Sequence, residues 1–77
     1  MESQALNRIV AANITAAITK ANRSEASIAR DTGIALTSLR RNLAGLNGAS
    51  FTIANLAVIA DVLDVEVLSF FTPQVSA

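Results

Sequence analysis

The feature that most constrains the fold is the spacing of apolar residues, which recur every three or four positions along almost the whole chain. This spacing places side chains on one face of an α-helix, because the helix has about 3.6 residues per turn. The alternation of apolar and polar residues that indicates a β-strand occurs only in the short segment DVEVLSF. The sequence therefore predicts an all-α fold, which interruptions of the pattern divide into five helices.

The first three helices have clear boundaries in the sequence. The first is predicted at about residues 3–20, and the second at about 25–32, after a possible capping hydroxyl at Ser24. Gly33 ends the second helix, because glycine readily adopts the left-handed conformation that is common after a helix C-terminus. A third helix is then predicted at about 35–46.

Boundaries in the second half are less sharply marked. Gly48 is favoured over Gly45 as the residue that stops the third helix. Ser50 or Thr52 caps a fourth helix, and a final helical turn, VEVLSFF, ends before Pro73, which cannot continue it.

One apolar stripe on each helix is predicted to form the core. With 77 residues, 52% of them hydrophobic, the chain is expected to fold as a single domain spanning residues 1–77. The stripes of the first, third and fourth helices contain Leu6, Ile9, Val10, Ile14, Ala17 and Ile18; Leu39, Leu43 and Leu46; and Ile53, Leu56, Ile59, Ala60 and Leu63.

The composition excludes several classes of chemistry. The chain has neither cysteine nor histidine, so disulfides, the usual zinc sites and catalysis by an imidazole base are all excluded. The acidic residues after position 60 have no basic partner, and GLNG lacks the strand and lysine of a phosphate-binding loop. We therefore expect no enzymatic activity, no cofactor, no metal and no small-molecule ligand.

Charge is distributed unevenly along the chain. All six basic residues and three acidic residues precede position 48, whereas the remaining residues contain three acidic residues and no basic one. The net charge of zero thus conceals a positive first part and a negative second part. Such an asymmetry suggests a face that binds anions.

The segment IARDTGIALTSLRR, residues 28–41, has the spacing of a helix-turn-helix. This motif requires a small residue where the two helices cross, a glycine in the turn and an apolar residue that fixes the second helix. Ala29, Gly33 and Leu39 meet these three requirements. On the second helix, Thr37, Arg40, Arg41 and Ala44 then fall opposite the leucine stripe.

The sequence SEASIARDTGIALTSLRRNLAGLN resembles the phage Cro/C1-repressor-type helix-turn-helix family (lambda-repressor-like, XRE-like), and the later LAVIADVLDVEVLSFF resembles the helices that follow in that family. The resemblance extends from Ser24 to Pro73. It implies a compact five-helix DNA-binding domain, with the helix-turn-helix at about 24–45 and a recognition helix at about 35–46.

The resemblance also implies roles for individual residues. The positions expected to face the bases are Leu36, Thr37, Arg40 and Arg41, and those expected to meet phosphate are Ser24, Glu25 and Asn47. Arginine can bind guanine O6 and N7 with two hydrogen bonds, and a threonine methyl can contact thymine. Arg8, Lys20 and Arg23 are further candidates for phosphate contacts, with Arg23 included in the predicted site. Arg30 either meets phosphate or pairs with Asp31.

Several positions depart from the family pattern. Glu25 occupies a position where the family often has glutamine, and Leu36 replaces a residue that is usually polar. A carboxylate repels phosphate but can accept a hydrogen bond from cytosine N4, whereas Leu36 can make only apolar contacts. Leu43 occupies a position where many members have glutamate.

The function expected from the resemblance is sequence-specific binding of double-stranded DNA by a small transcriptional regulator, a phage-type repressor acting on a two-fold symmetric operator. A homodimer is expected through Val67, Leu68, Phe70 and Phe71; alternatively, Phe70 and Phe71 only close the core. A protein-interaction module of the same fold, such as an antitoxin or anti-activator, is the alternative function.

The expected location is a bacterial or phage-infected host cytoplasm. The N-terminal MESQALNR does not resemble a secretory signal. The most apolar segment, FTIANLAVIADVL, is shorter than the roughly 20 residues that span a bilayer, so no membrane contact is expected.

Overall fold

The computed structural model describes residues 3–45 and 50–73. These residues form four α-helices: α1 (Ser3–Lys20), α2 (Glu25–Thr32), α3 (Leu36–Ala44) and α4 (Ile53–Leu63). A 3-10 helix, Val67–Phe71, follows them. The described ranges contain no strand, and the predicted all-α fold is confirmed for them. The prediction of five α-helices is wrong by one, because the last is a 3-10 helix.

The last element is short for a physical reason. Asp64 ends α4 in the left-handed conformation, with φ 57° and ψ 48°, and Pro73 cannot continue a helix. Of the residues between these limits, five form the 3-10 helix, which amounts to less than two turns. The backbone N–H of Ser69 accordingly donates to Glu66 O, three residues earlier, at 3.0 Å, as in a 3-10 helix.

The predicted ends of α1 and α2 are confirmed. After α1, Asn22 adopts φ 58°, and the N–H of Arg23 donates to Ile18 O at 3.1 Å, as in a Schellman motif. Ser24 caps α2, since its hydroxyl oxygen accepts a hydrogen bond from Ser27 N at 3.1 Å. Gly33 has φ 79° and its N–H donates to Ala29 O.

The predicted end of α3 is wrong. The helix stops at Ala44, and Gly45 adopts the left-handed conformation with φ 67°, donating its N–H to the carbonyls of Arg41 and Asn42. Gly48, which the sequence favoured, lies outside the described residues. At the start of α4, Thr52 is the cap, because its hydroxyl oxygen accepts from Asn55 N at 3.0 Å.

A single core joins all five elements. Each element contributes one of the five largest fully buried side chains, which are Ile14, Ile28, Leu39, Ile59 and Phe70. α1 packs against α3 and the 3-10 helix, and α2 packs against α3 and α4. The position of each helix therefore depends on the others, including the position of α3.

Two predicted core residues and one predicted dimer residue lie elsewhere. Leu6 is 36% exposed near the start of α1, and Leu46, also predicted for the core, lies outside the described residues. Ile53 is 84% exposed, since it is the first residue of α4 and precedes the buried residues of that helix. Phe70 is 1% exposed, so it closes the core and cannot contribute to a dimer surface. Val67 is half-buried and packs against the same core.

A buried polar side chain fastens the 3-10 helix to α1. Asn13 is 7% exposed, and its Nδ2 donates to the carbonyls of Phe70 at 2.8 Å and Thr72 at 2.7 Å. Both amide hydrogens are thus satisfied, as burial requires.

In the part of the chain that the structure describes, no helix combines the length and the apolar character needed to cross a membrane.

Candidate nucleic-acid interface

The α2–turn–α3 unit is the frame of the candidate site. Only Gly33, Ile34 and Ala35 separate the two helices. Thr32 stabilises this turn, because its hydroxyl donates to Ile28 O at 2.7 Å and accepts from Ile34 N at 3.2 Å. Sequence reasoning missed this role of Thr32, although a threonine just before a helix-ending glycine is a local signal for it.

The buried and exposed faces of α3 follow the predicted pattern. Leu39 is fully buried, and Leu36 and Leu43 are half-buried and pack against the core. The opposite face is exposed and consists of Thr37, Arg40, Arg41 and Ala44. Side chains on this face are available to a ligand, and only the exposed part of Leu36 could join them.

An ion pair connects α2 and α3. Nε of Arg40 donates to Oε1 of Glu25 at 3.3 Å. The side chains retain 60% and 42% of their exposure, respectively, so the pair lies at the surface. Two residues predicted separately, one for phosphate and one for bases, are therefore in direct contact.

Arg23 is directed towards α2. Its Nε donates to Ser27 Oγ at 3.0 Å, one Nη donates to Ser27 O at 3.5 Å, and the same nitrogen forms an ion pair with Asp31. The side chain is only 29% exposed. A phosphate contact by Arg23 would require it to leave these partners, and Ser27, which fixes it, was missed by sequence reasoning.

Asp31 receives a second cation, since Nε of Arg30 donates to Oδ1 of Asp31 at 3.2 Å. The hydrogen bond from Arg23, followed by that from Arg30, lowers the pKa of the Asp31 carboxyl below its ordinary value of 3.8. Of the two roles considered for Arg30, the pairing with Asp31 is the one observed. Its side chain is nevertheless 75% exposed.

Two further residues were predicted to meet phosphate, and the structure describes only one of them. Ser24 is exposed at the start of α2, and its hydroxyl oxygen is used in the cap. Asn47 lies outside the described residues. The structure thus brings Glu25 and Arg40 together and places Thr37 and Arg41 on the same helix face as Arg40. Arg23 is not part of this group, because its side chain is bound to Ser27 and Asp31.

The candidate site presents hydrogen-bond donors to solvent. Within residues 3–45 and 50–73, no group of three or more acidic side chains could hold a metal ion. The exposed guanidinium groups of Arg40 and Arg41 and the hydroxyl of Thr37 can donate hydrogen bonds to an anionic or acceptor-rich surface.

Comparison of the chain with protein-family models, with curated proteins and with solved structures finds no significant match.

Proposed function

We propose that this chain is a small transcriptional regulator that binds double-stranded DNA sequence-specifically through the exposed face of α3. The observation that carries the proposal is the division of α3 into two faces. Leu39 is fully buried, whereas Thr37, Arg40 and Arg41 are all exposed on the opposite side. A short helix braced by a second helix through a tight turn has the dimensions that enter a major groove.

The chemistry of that face suits base recognition. Arginine donates in a planar fork that matches guanine O6 and N7, and each such bidentate contact contributes about 1–3 kcal/mol of discrimination. Thr37 can bond a base or contact a thymine methyl. At the N-terminus of α2, Ser24 caps the N–H of Ser27, and the other backbone N–H groups of the first turn remain for a phosphate.

The low content of basic residues limits the affinity of one copy. The chain has six basic residues, and two of them, Arg23 and Arg30, are paired with Asp31. Phosphate neutralisation supplies most non-specific affinity, so a monomer would bind weakly. Two copies on a two-fold symmetric operator, with half-sites about 34 Å apart, would compensate for this weakness.

The dimer surface proposed here is narrower than the one expected from the sequence. Leu68 is 73% exposed and Phe71 is 37% exposed, and Val65, at 38%, is close to them in the chain. Exposed apolar side chains in one short segment of the chain favour self-association. Occupation of a promoter by such a dimer would be sufficient for repression, without any catalytic step.

Selection of bound sequences from random duplexes tests the proposal. We expect a two-fold symmetric consensus, bound with a salt dependence that is reduced in the double variant Arg40→Ala/Arg41→Ala. The control is Arg8→Ala/Lys20→Ala, which removes the same charge from exposed positions of α1. Both residues are candidates for phosphate contacts, which carry no sequence information, so this variant should retain the consensus whatever its affinity. Absence of any enriched sequence would contradict the proposal.

The alternative of a protein-interaction module has one observation in its favour, the 84% exposure of Ile53. A large apolar side chain so exposed at a helix start is a possible protein contact. Duplex binding no stronger than that of an unrelated neutral protein would support this alternative.

A further inference from the structure

Arg40 and Arg41 are neighbours on the exposed face of α3 but differ in their surroundings. Nε of Arg40 donates to Oε1 of Glu25 on α2, whereas Arg41 forms no ion pair within the described residues. A flexible arginine near DNA is attracted to the nearest phosphate, where it contributes affinity but no sequence information. The carboxylate beside Arg40 changes this balance.

We propose that Glu25 is a positioning residue that directs Arg40 to a guanine rather than to a phosphate. This inference rests on the proposed function. It assigns to Glu25 a role other than the phosphate contact expected from the sequence.

The first argument concerns which donors of Arg40 remain. The guanidinium group has five N–H donors, one on Nε and four on the two Nη atoms. Since Nε is occupied by Glu25, the two Nη atoms are left as a pair at the end of the side chain. That pair can bind guanine O6 and N7 together, and Glu25 limits the rotation that would otherwise spread the donors over several directions.

The second argument concerns charge. Glu25 places a negative charge 3.3 Å from Nε of Arg40, which weakens the attraction of this guanidinium to phosphate and repels phosphate itself. Guanine O6 and N7 are neutral acceptors, so the negative charge of Glu25 repels them less than it repels a phosphate. The pair should therefore reduce non-specific affinity and increase the preference for one base pair.

The experiment begins with the consensus of the unmodified protein, and Arg40→Ala identifies the base pair whose preference is lost. Glu25→Ala should then reduce discrimination at that base pair about 3-fold to 10-fold, and leave discrimination at the base pair assigned by Arg41→Ala unchanged. Affinity for a scrambled duplex should rise, because a negative charge next to the DNA is removed. Glu25→Gln removes the same charge but keeps an oxygen that can accept from Nε, so it should raise that affinity equally and lose less discrimination than Glu25→Ala.

Asp61→Asn is the matched control for charge. Asp61 is exposed on α4, and the variant removes the same negative charge as Glu25→Gln. It should raise affinity for all duplexes equally without changing any base preference. Circular dichroism and thermal unfolding of Glu25→Ala should match those of Glu25→Gln, because both variants keep a good helix former at a position whose side chain is 42% exposed.

The outcomes separate this inference from the proposed function. An enriched consensus combined with unchanged discrimination in Glu25→Ala, or with an equal loss of affinity for every duplex, would overturn the positioning role and leave the function intact. A consensus in which Arg40→Ala alters no base preference would do the same. Failure of the unmodified protein to enrich any sequence would overturn the function itself, and the inference with it.

Discussion

The side-chain amide of Asn13 donates to the backbone carbonyl of Phe70, 57 residues further along the chain, at 2.8 Å. The same nitrogen donates to Thr72 O. These two bonds fasten the C-terminal 3-10 helix to α1 while Phe70 fills the core between them. A polar side chain thus fixes the position of an apolar one.

Replacement of this amide should destabilise the protein. Asn13→Ala leaves two carbonyls without their donor, and a buried unsatisfied polar group costs about 1–3 kcal/mol. Urea unfolding followed by circular dichroism measures the loss. Thr15→Ala, at an exposed position of the same helix, is the control and should change stability by less than about 0.5 kcal/mol. Equal effects of the two variants would contradict the assigned role of Asn13.

A mutational comparison can show that Thr52, and not Ser50, caps α4. Thr52→Ala removes the acceptor of the Asn55 N–H and should cost about 1 kcal/mol. Ser50→Ala should have little effect, because Ser50 is exposed and does not cap the helix. The comparison is made by the shift in the midpoint of thermal unfolding. A larger shift for Ser50→Ala would show that the cap is misassigned.

Gly33 is required for its backbone conformation and not for space. Its φ is 79°, and a Cβ added there would meet nothing within 4 Å. Gly33→Ala should therefore cost about 1–2 kcal/mol of backbone strain, and Gly33→Asn should cost less, since asparagine tolerates this conformation. Chemical denaturation of both variants tests the order, and alanine equal to glycine in stability would refute the explanation.

The two faces of α3 should separate stability from DNA binding. Leu39→Ala removes a fully buried side chain and should destabilise the fold by about 2–5 kcal/mol. Arg41→Ala, two positions later on the exposed face, should leave the unfolding temperature nearly unchanged and weaken duplex binding. Calorimetry and fluorescence anisotropy measure the two effects. Substantial unfolding of Arg41→Ala would argue against a free recognition face.

Asp31 should link part of the stability to pH. Its pKa is lowered in the folded protein, so its contribution is complete above the pKa of the unfolded chain and is lost as the pH falls through the folded pKa. Carboxyl titration by NMR should give a midpoint below 3.8. Arg23→Ala should raise this midpoint more than Arg30→Ala, because the hydrogen bond from Arg23 is the larger cause. The reverse order would contradict that assignment.

The features that could be predicted from the sequence depend on contacts within a few residues or on helical periodicity. Ser24 and Gly33 delimit α2 through bonds within a few residues, and the buried Leu39 follows from helical periodicity. Gly45 and Gly48 are both suitable ends for α3, and no local feature separates them. Ile53 has the spacing of a core residue, but it is 84% exposed at the first position of α4.

Contacts between distant segments account for the remaining differences. Periodicity alone could not show that Phe70 is enclosed by α1 or that Asn13 is its neighbour. The same division between local and distant contacts applies to the candidate site. The exposed face of α3 was predictable from angles within one helix, whereas the pairing of Glu25 with Arg40 depends on how α2 and α3 cross.

Because each helix in residues 3–45 and 50–73 supplies at least one fully buried side chain to the same core, none of these helices should hold its position alone. A synthetic peptide covering α2 and α3 would leave Ile28 and Leu39 in water, without Ile14, Ile59 or Phe70 around them. Proteolytic cleavage just after Asp64 should likewise disable α3, although the cut is twenty residues beyond the end of that helix. Arginines placed at equivalent positions on a helix of another protein would have the same donors as Arg40 and Arg41 but would lack the orientation that this core gives to α3.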